Sequence, residues 1–349
     1  MTRPNRHVGS LAAALALLAA ATGAVAQPPV APAPQSHPLP AMDDLLAYVG
    51  AQNSTGFIVI QGGRTLVDES WPGPQEDRVF ANLKHGRTPD GVLLEDVASQ
   101  QKSFIAVLAG IAVDKGLLDV EAPVSRYLGD GWSKASADQE AEIRVIHILN
   151  MNSGLNEQFA YAAPVGTVFF YNTPVYALTK DILTAATGEP LETLTRDWLT
   201  GPLGMDQTEW RQRPQALAGV GNATGLVTTP QDIARLGRMI LQGGRTETGA
   251  PVISKAQLEA LFRRSDANPA YGRLWWLNGG DYGLRAQGRR FEGPLIPTAP
   301  ADLVGAFGAL DRRLYVAPSA DLVVVRTGAA APDPDFDQEL WRRLTLALD

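Results

Sequence analysis

The stretches of this 349-residue chain that read as strands lie at its two ends, with a long helical stretch between them. Near the start of the folded part, residues 57–60 and 65–67 are short apolar runs joined through Gln61-Gly62-Gly63-Arg64 as a β-hairpin. Near the end, residues 271–277, 314–317 and 322–326 are rich in Val, Tyr and Trp, and Pro318-Ser319-Ala320-Asp321 makes a turn between the last two. The segments 143–152, 174–187, 191–199, 230–243 and 255–263 carry helical spacing instead, while the 25 residues after Val67 (68–92) are polar and Gly/Pro-rich and read as loop. Strands must lie side by side, so the two ends meet and the helical middle is an insertion. The expectation is an α/β (α+β) fold of two lobes: a mostly antiparallel sheet flanked by helices, with an inserted all-helical lobe. Residues 41–98 and 250–349 fall to the sheet lobe and 99–249 to the mainly helical one. Amphipathic helices over 41–52 and 335–348 flank the sheet.

The first 26 residues have the layout of a secretory signal peptide. Arg3 and Arg6 form a basic start, residues 11–21 are Ala/Leu-rich, and Ala24-Val25-Ala26 supplies small-x-small cleavage chemistry. The apolar stretch is too short to span a bilayer, an uncut anchor being the alternative. The arginines are not adjacent, which favours the general secretory route over a twin-arginine one. Residues 27–40 (QPPVAPAPQSHPLP) form a Pro-rich linker that cannot pack a core. A secreted or periplasmic domain over 41–349, with no stable membrane insertion after cleavage, is expected.

Composition removes several functions. The formal net charge of −7 offers no concentrated basic face for nucleic acid. Without cysteine there is no disulfide, thiolate metal site, cysteine nucleophile or lipoprotein anchor. Beyond the leader only His37, His85 and His147 remain, and neither a His-Glu-x-x-His nor a Gly-x-Ser-x-Gly motif exists. No metal and no cofactor is expected. His147 lies in an apolar helix and reads as a satisfied core residue; His85, in a loop, offers at most half of a Ser-His pair.

Ser99-Gln100-Gln101-Lys102 lies where the polar loop becomes a strongly apolar helix, with Phe104, Val107, Leu108 and Ile111 recurring at helical spacing up to Gly116. A serine hydroxyl attacks well only when a neighbour takes its proton. Residues three apart share a helical face, and burial among apolar neighbours lowers a lysine pKa, so Lys102 can serve as that base. Ser99 at a helix start also points backbone N–H groups at a developing oxyanion. The spacing alone is weak: with 13 serines and 6 lysines it arises by chance about 0.2 times in this length. The bland alternative is a serine cap beside a surface lysine. A second piece is Phe170-Tyr171-Asn172-Thr173-Pro174, where Thr173 and Pro174 read as the cap and first turn of a helix. That leaves Tyr171 on the loop before it, placed to shuttle a proton or simply to pack between helices. Trp275-Trp276, beside Tyr271, reads equally well as a cleft wall or as core.

Taken in order, these segments resemble the serine β-lactamase and penicillin-binding-protein superfamily, in the branch with class C β-lactamases, D-amino-acid peptidases and related esterases. The resemblance spans nearly all of 41–345. It rests on Ser99-x-x-Lys102, IAVDKGLLDVEAPVSRYL, IRVIHILNMNSGL, PVGTVFFYNT, GPLGMDQTEW and GLVTTPQDIARLGRMIL. It implies a β-lactamase-like fold and an acyl-enzyme on Ser99, with Lys102 and Tyr171 sharing the proton transfers. The oxyanion would be held by the backbone N–H of Ser99 and by one from a strand near Gly305 and Ala306. Two departures matter. Thr173 stands where many relatives carry a substrate-contacting asparagine. The Lys-Thr-Gly or His-x-Gly strand element has no counterpart in 302–308, so the cation for a penicillin-type carboxylate is missing unless Arg312 or Arg313 replaces it. The resemblance therefore implies a small-molecule ester or amide substrate. A β-lactamase or DD-peptidase, and a catalytically silent envelope-binding protein of the same fold, are the alternatives.

Overall fold

The structure is a computed structural model and describes residues 40–349, so the expected leader and all but the last residue of the expected linker lie outside the described residues. Burial decides where each strand sits. Seven of the eight residues of β1 (Ser54–Gln61) are buried, as an interior strand covered on both faces requires. Its hairpin partner β2 (Arg64–Ser70) buries only Val67 and presents Arg64, Asp68 and Glu69 to solvent, a charged edge that resists pairing with another chain. The remaining strands come from the other end of the chain: β3 (Trp276–Leu277), β4 (Val304–Gly308), β5 (Arg312–Ala317) and β6 (Leu322–Gly328). Together they form an antiparallel sheet in the order β2-β1-β6-β5-β4-β3, so the two ends do meet.

Five helices support this sheet and the site beside it: α1 (Pro40–Ala51), α2 (Gln101–Asp114), α3 (Thr173–Thr187), α4 (Pro230–Leu241) and α5 (Phe336–Leu348). Antiparallel partners point the same way, so Ile58, Ile60, Leu314, Val323 and Val325 share one face of the sheet and Phe57, Val59, Tyr315 and Val324 the other. α4 packs on the first face, with the backbone of Gly237 against Val323 and Leu314. α5 covers the second, where Trp341 meets Tyr315 edge-on at 5.6 Å, and Tyr48 of α1 stacks on Phe336. α2 is different: every residue from Gln101 to Ala112 is buried, so it is a central helix with no solvent face. No helix among the described residues is long and apolar enough to cross a membrane.

Several segments differ from the sequence expectation. The stretch 68–92, read as loop, holds the short strand Lys84–Arg87 and leads into Leu93–Asp96, and the mostly helical middle contributes Glu209–Gln212 and Thr224–Thr228. These four build a second antiparallel sheet. Such short strands show no alternation of their own; Leu93–Asp96 and Glu209–Gln212 form by pairing with the buried run 225–228, and Lys84–Arg87 adds on Leu93–Asp96 at the edge. The strand expected over 271–277 is only Trp276–Leu277. Leu274, at φ 60°, turns the preceding residues inward, where its N–H bonds the Leu149 carbonyl and its carbonyl accepts the Ser103 hydroxyl. Such a run is apolar because it plugs the core, and burial alone does not distinguish that from a strand. The segments 143–152 and 191–199 are α-helical only over Val145–Leu149 and Leu191–Thr195.

Candidate active site

The second sheet delivers the chain to the start of α2 through a strained elbow. Strand Leu93–Asp96 ends, Ala98 adopts φ 51°, and Ala98–Gln100 form a 3-10 turn before the α-helix begins at Gln101, two residues later than the sequence suggests. A non-glycine residue in the left-handed region persists only where its surroundings hold it. Here Asp96 Oδ1 accepts the Ala98 N–H at 2.8 Å, and Gln101 Nε2 donates to the Ala98 carbonyl at 3.0 Å. The Asp96 carboxylate is itself gripped by Arg213, Nε to Oδ2 at 2.8 Å and Nη2 to Oδ1 at 3.0 Å, with both side chains buried. On the other side β4 closes in: a Cβ on Gly308 would lie 2.3 Å from the Val97 carbonyl oxygen, so only glycine permits this approach.

Lys102 Nζ lies 3.0 Å from Ser99 Oγ and donates to Thr173 Oγ1 at 3.3 Å. It is 2% exposed and sits 4.9 and 4.6 Å from the ring centres of Tyr171 and Tyr176. Burial, reinforced by the positive charges of Arg213 and Lys180, pulls its pKa down to about 7. The bland reading of a surface lysine is thereby excluded. Burial pushes the Tyr171 hydroxyl up to about 12, with the Ser99 side chain as hydrogen-bond partner pulling the other way. Tyr171 stacks on Trp276 at 5.9 Å, and Trp276 in turn on Phe307 at 6.2 Å. The cap of α3 is Asn172, whose Oδ1 accepts the Val175 N–H, rather than Thr173; the threonine hydroxyl is thereby free to meet Lys102.

Ser99 lines two cavities. One of about 350 Å³ is walled by Tyr171, Trp276, Phe307 and Gly308, with Arg285 and Arg313 further out. The other, about 130 Å³, is an apolar slot between Val79, Leu83, Leu217, Val220 and Leu310, with Lys102, Thr173 and Arg213 at its base. Ser99, Lys102, Tyr171 and Thr173 are thus brought together. Gly305 and Ala306 are not: neither lines a cavity at Ser99, Ala306 is fully buried, and the Phe307 ring crowds Gly305. The backbone that reaches the serine is Gly308–Ala309–Leu310, where β4 ends. This turn is strained, with Leu310 and Asp311 at φ 61° and 55°. Buried arginines hold it: Arg312 donates to the Ala309 carbonyl at 3.2 Å, and Arg326 to those of Leu310 and Asp311 at 2.7 and 3.2 Å.

The arginines considered as replacement cations are already engaged. Arg312 is fully buried against Glu95 at 2.8 Å. Arg313 lines the larger cavity but is bound by Asp311 and Asp337. Of the tryptophan pair, Trp276 is cavity wall and Trp275 is core, edge-on to Phe262. His147 Nδ1 accepts the Arg144 N–H, and His85 lines neither cavity. Among the described residues no three His, Asp or Glu side chains come together to hold a metal. Sequence reasoning missed Asp96, Arg213 and Lys180. Lys180 Nζ donates to Asn222 Oδ1 and Thr224 Oγ1, both at 2.8 Å, and its pKa falls to about 7, chiefly through burial. Its spacing from Tyr176, one helical turn along α3, was the only local signal.

This combination of fold and buried serine–lysine pair is that of a known group of enzymes. The family model described as Beta-lactamase matches residues 42–349. The chain belongs to the beta-lactamase family and is a serine hydrolase of that fold. The 6-aminohexanoate-dimer hydrolase of Paenarthrobacter ureafaciens is 23% identical over 326 residues, 80% of this chain and 73% of that one. A family VIII carboxylesterase shares the fold at 14% identity and TM-score 0.63, over 88% of this chain and 96% of its own. So does a beta-lactamase/D-alanine carboxypeptidase from Yersinia pestis complexed with citrate, at 17% identity and TM-score 0.62, over 88% and 96%.

Proposed function

We propose that this chain is an exported hydrolase that cleaves an ester or amide through an acyl-enzyme on Ser99. The observation that carries the proposal is the 3.0 Å contact from a buried lysine, held near neutral pKa, to the serine oxygen. Neutral Lys102 takes the Ser99 proton as Oγ attacks the substrate carbonyl carbon. The tetrahedral oxyanion receives N–H groups from Ser99 and from the Gly308–Leu310 turn, both held rigid by buried ion pairs. Tyr171 passes the proton to the leaving oxygen or nitrogen, the bond to it breaks, and the acyl group stays on Ser99. Water then attacks that ester, gives its proton back through the same pair, and frees Ser99. Similarity to a 6-aminohexanoate-dimer hydrolase and to a carboxylesterase supports an ester or amide substrate.

A fluorophosphonate probe tests the reading directly. Wild type labels covalently and Ser99→Ala does not; labelling of neither, or of both, refutes it. 4-Nitrophenyl butyrate, a cephalosporin and a D-Ala-D-Ala peptide assayed side by side separate the ester, β-lactam and peptidase activities. Export predicts that the protein recovered from the cell envelope begins at Gln27, which N-terminal sequencing reads.

A further inference from the structure

We infer that Arg285 is an anion anchor for this site, so that the preferred ester or amide carries a carboxylate on the arm that enters the larger cavity. The inference rests on the hydrolase reading above and names its substrate class. Four charged groups face that cavity: Arg285, Arg313, Asp311 and Asp337. Three of them are engaged with one another. Asp337 Oδ1 accepts from Arg313 Nε at 2.9 Å and from the Tyr315 hydroxyl, and its Oδ2 from Arg313 Nη2 at 3.2 Å. Asp311 Oδ1 accepts from Arg313 Nη2 at 2.8 Å, and its Oδ2 from the Ala331 N–H at 3.0 Å.

Arg285 feels the Asp337 charge but does not join this network. It is half-buried, yet among the described residues its guanidinium has neither an ion-pair partner nor a hydrogen-bond acceptor. Its position is fixed all the same. The guanidinium lies 4.8 Å over the Phe291 ring. The turn that carries it, between strands Tyr282–Leu284 and Arg290–Glu292, is closed by the Arg285 N–H to the Arg289 carbonyl and the Gly288 N–H to the Arg285 carbonyl. A planar guanidinium with five donors, held in place at a cavity wall with no acceptor bonded to it, matches a planar carboxylate two-pronged. The cavity that Arg285 and Ser99 share is also walled by the stacked series Tyr171, Trp276 and Phe307, which suits a flat or alkyl spacer. The apolar slot on the far side of Ser99 takes the uncharged arm.

The test uses matched esters on the full domain: mono-4-nitrophenyl glutarate against its methyl ester for a carboxylate on the acyl arm, and 4-butyryloxybenzoate against its methyl ester for one on the leaving arm. Wild type prefers the carboxylate form of at least one pair by about ten-fold in kcat/KM, expressed mainly in KM. Arg285→Gln brings that ratio to about one, whatever the absolute rates do, and Arg285→Lys restores part of it. A ratio near one in wild type, or a preference that survives Arg285→Gln, overturns the anchor while ester turnover stands. Failure of wild type to turn over any ester or to take the fluorophosphonate overturns the hydrolase reading and the anchor with it.

Discussion

Gly225→Ala is the substitution that asks most of this site with the fewest added atoms. Gly225 lies on the strand Thr224–Thr228, its α-carbon against the Asp96 carboxylate. A Cβ there would sit 1.9 Å from Asp96 Oδ2, 2.5 Å from Cγ and 2.9 Å from Oδ1. Ordinary contact begins near 3.4 Å, so the carboxylate must retreat by about 1.5 Å. Every bond it makes is 2.8 to 3.0 Å long, and such a retreat breaks the Arg213 grip and releases the Ala98 N–H. Leaving a buried charge without its partner costs about 3–5 kcal/mol. For a domain of this size that is a fall in Tm of about 5–8 °C. The elbow before Ser99 relaxes as well, and misplacing a nucleophile by an ångström lowers kcat by about 10²-fold. Calorimetry and turnover of 4-nitrophenyl butyrate measure both. Gly219→Ala, where no atom lies within 4 Å of the added carbon, is the control and stays within about 0.5 kcal/mol of wild type. The effect is also non-additive: in an Asp96→Ala background the three atoms nearest the methyl are gone, and it adds little further loss. A Gly225→Ala protein with wild-type Tm and kcat, or one whose loss simply adds to that of Asp96→Ala, refutes the assignment of the elbow to this carboxylate.

Further outcomes concern the groups around Lys102. With its neutral form as the proposed base, kcat/KM rises with pH up to about 7 and then levels, as a pH–rate profile reads out. Stability has a related sign: between about pH 7 and about 10 the unfolded chain binds protons at Lys102 and Lys180 that the folded chain does not, so unfolding free energy climbs with pH across that window, and Lys102→Met lowers the slope in urea titrations while Lys180 keeps the rest. Lys180→Met removes a charge that holds the Lys102 pKa down, and moves the acid limb of the rate profile to higher pH; a limb that stays in place shows that Lys180 acts on packing alone. Tyr171→Phe preserves the stack on Trp276 but not the proton, and lowers kcat by about 10²–10⁴ while Tm barely moves.

What the sequence disclosed and what it hid divide along the range of the interactions. Ser99 and Lys102 are three residues apart on one turn, and a run from Ser103 to Val113 announces its own burial, so a buried lysine beside the serine, with a depressed pKa, was legible from local pattern. The hairpin at 57–67 and the strands after 312 were legible for the same reason. Asp96 and Arg213 lie 117 residues apart, and Glu95 and Arg312 lie 217 apart. No local pattern marks either pair, so Arg312 looked like a spare cation when it is bound to Glu95. The backbone that meets Ser99, and that we propose holds the oxyanion, lies two or three residues further along the chain than the resemblance implies, for a related reason. Apolar character peaks at Val304–Ala306, whereas the backbone meets Ser99 only where Gly308 allows contact and the strand ends.

The strained backbone on both sides of Ser99 and the surplus of buried cations have one physical explanation. Ala98 on one side and Leu310 with Asp311 on the other are non-glycine residues in left-handed conformations, and each is held by a buried ion pair or arginine fan rather than by its own propensity. A turn fixed this way keeps its N–H groups aimed where an oxyanion forms and needs no reorganisation when charge develops. The same arrangement sets the lysine. Arg213, already neutralised locally by Asp96, still repels a proton on Lys102, and Lys180 adds to it from α3. Replacing either cation by an apolar side chain would therefore act twice, leaving acceptors unpartnered and letting Lys102 hold its proton. The two consequences separate experimentally, because the first lowers Tm at every pH and the second lowers kcat/KM only on the acid side.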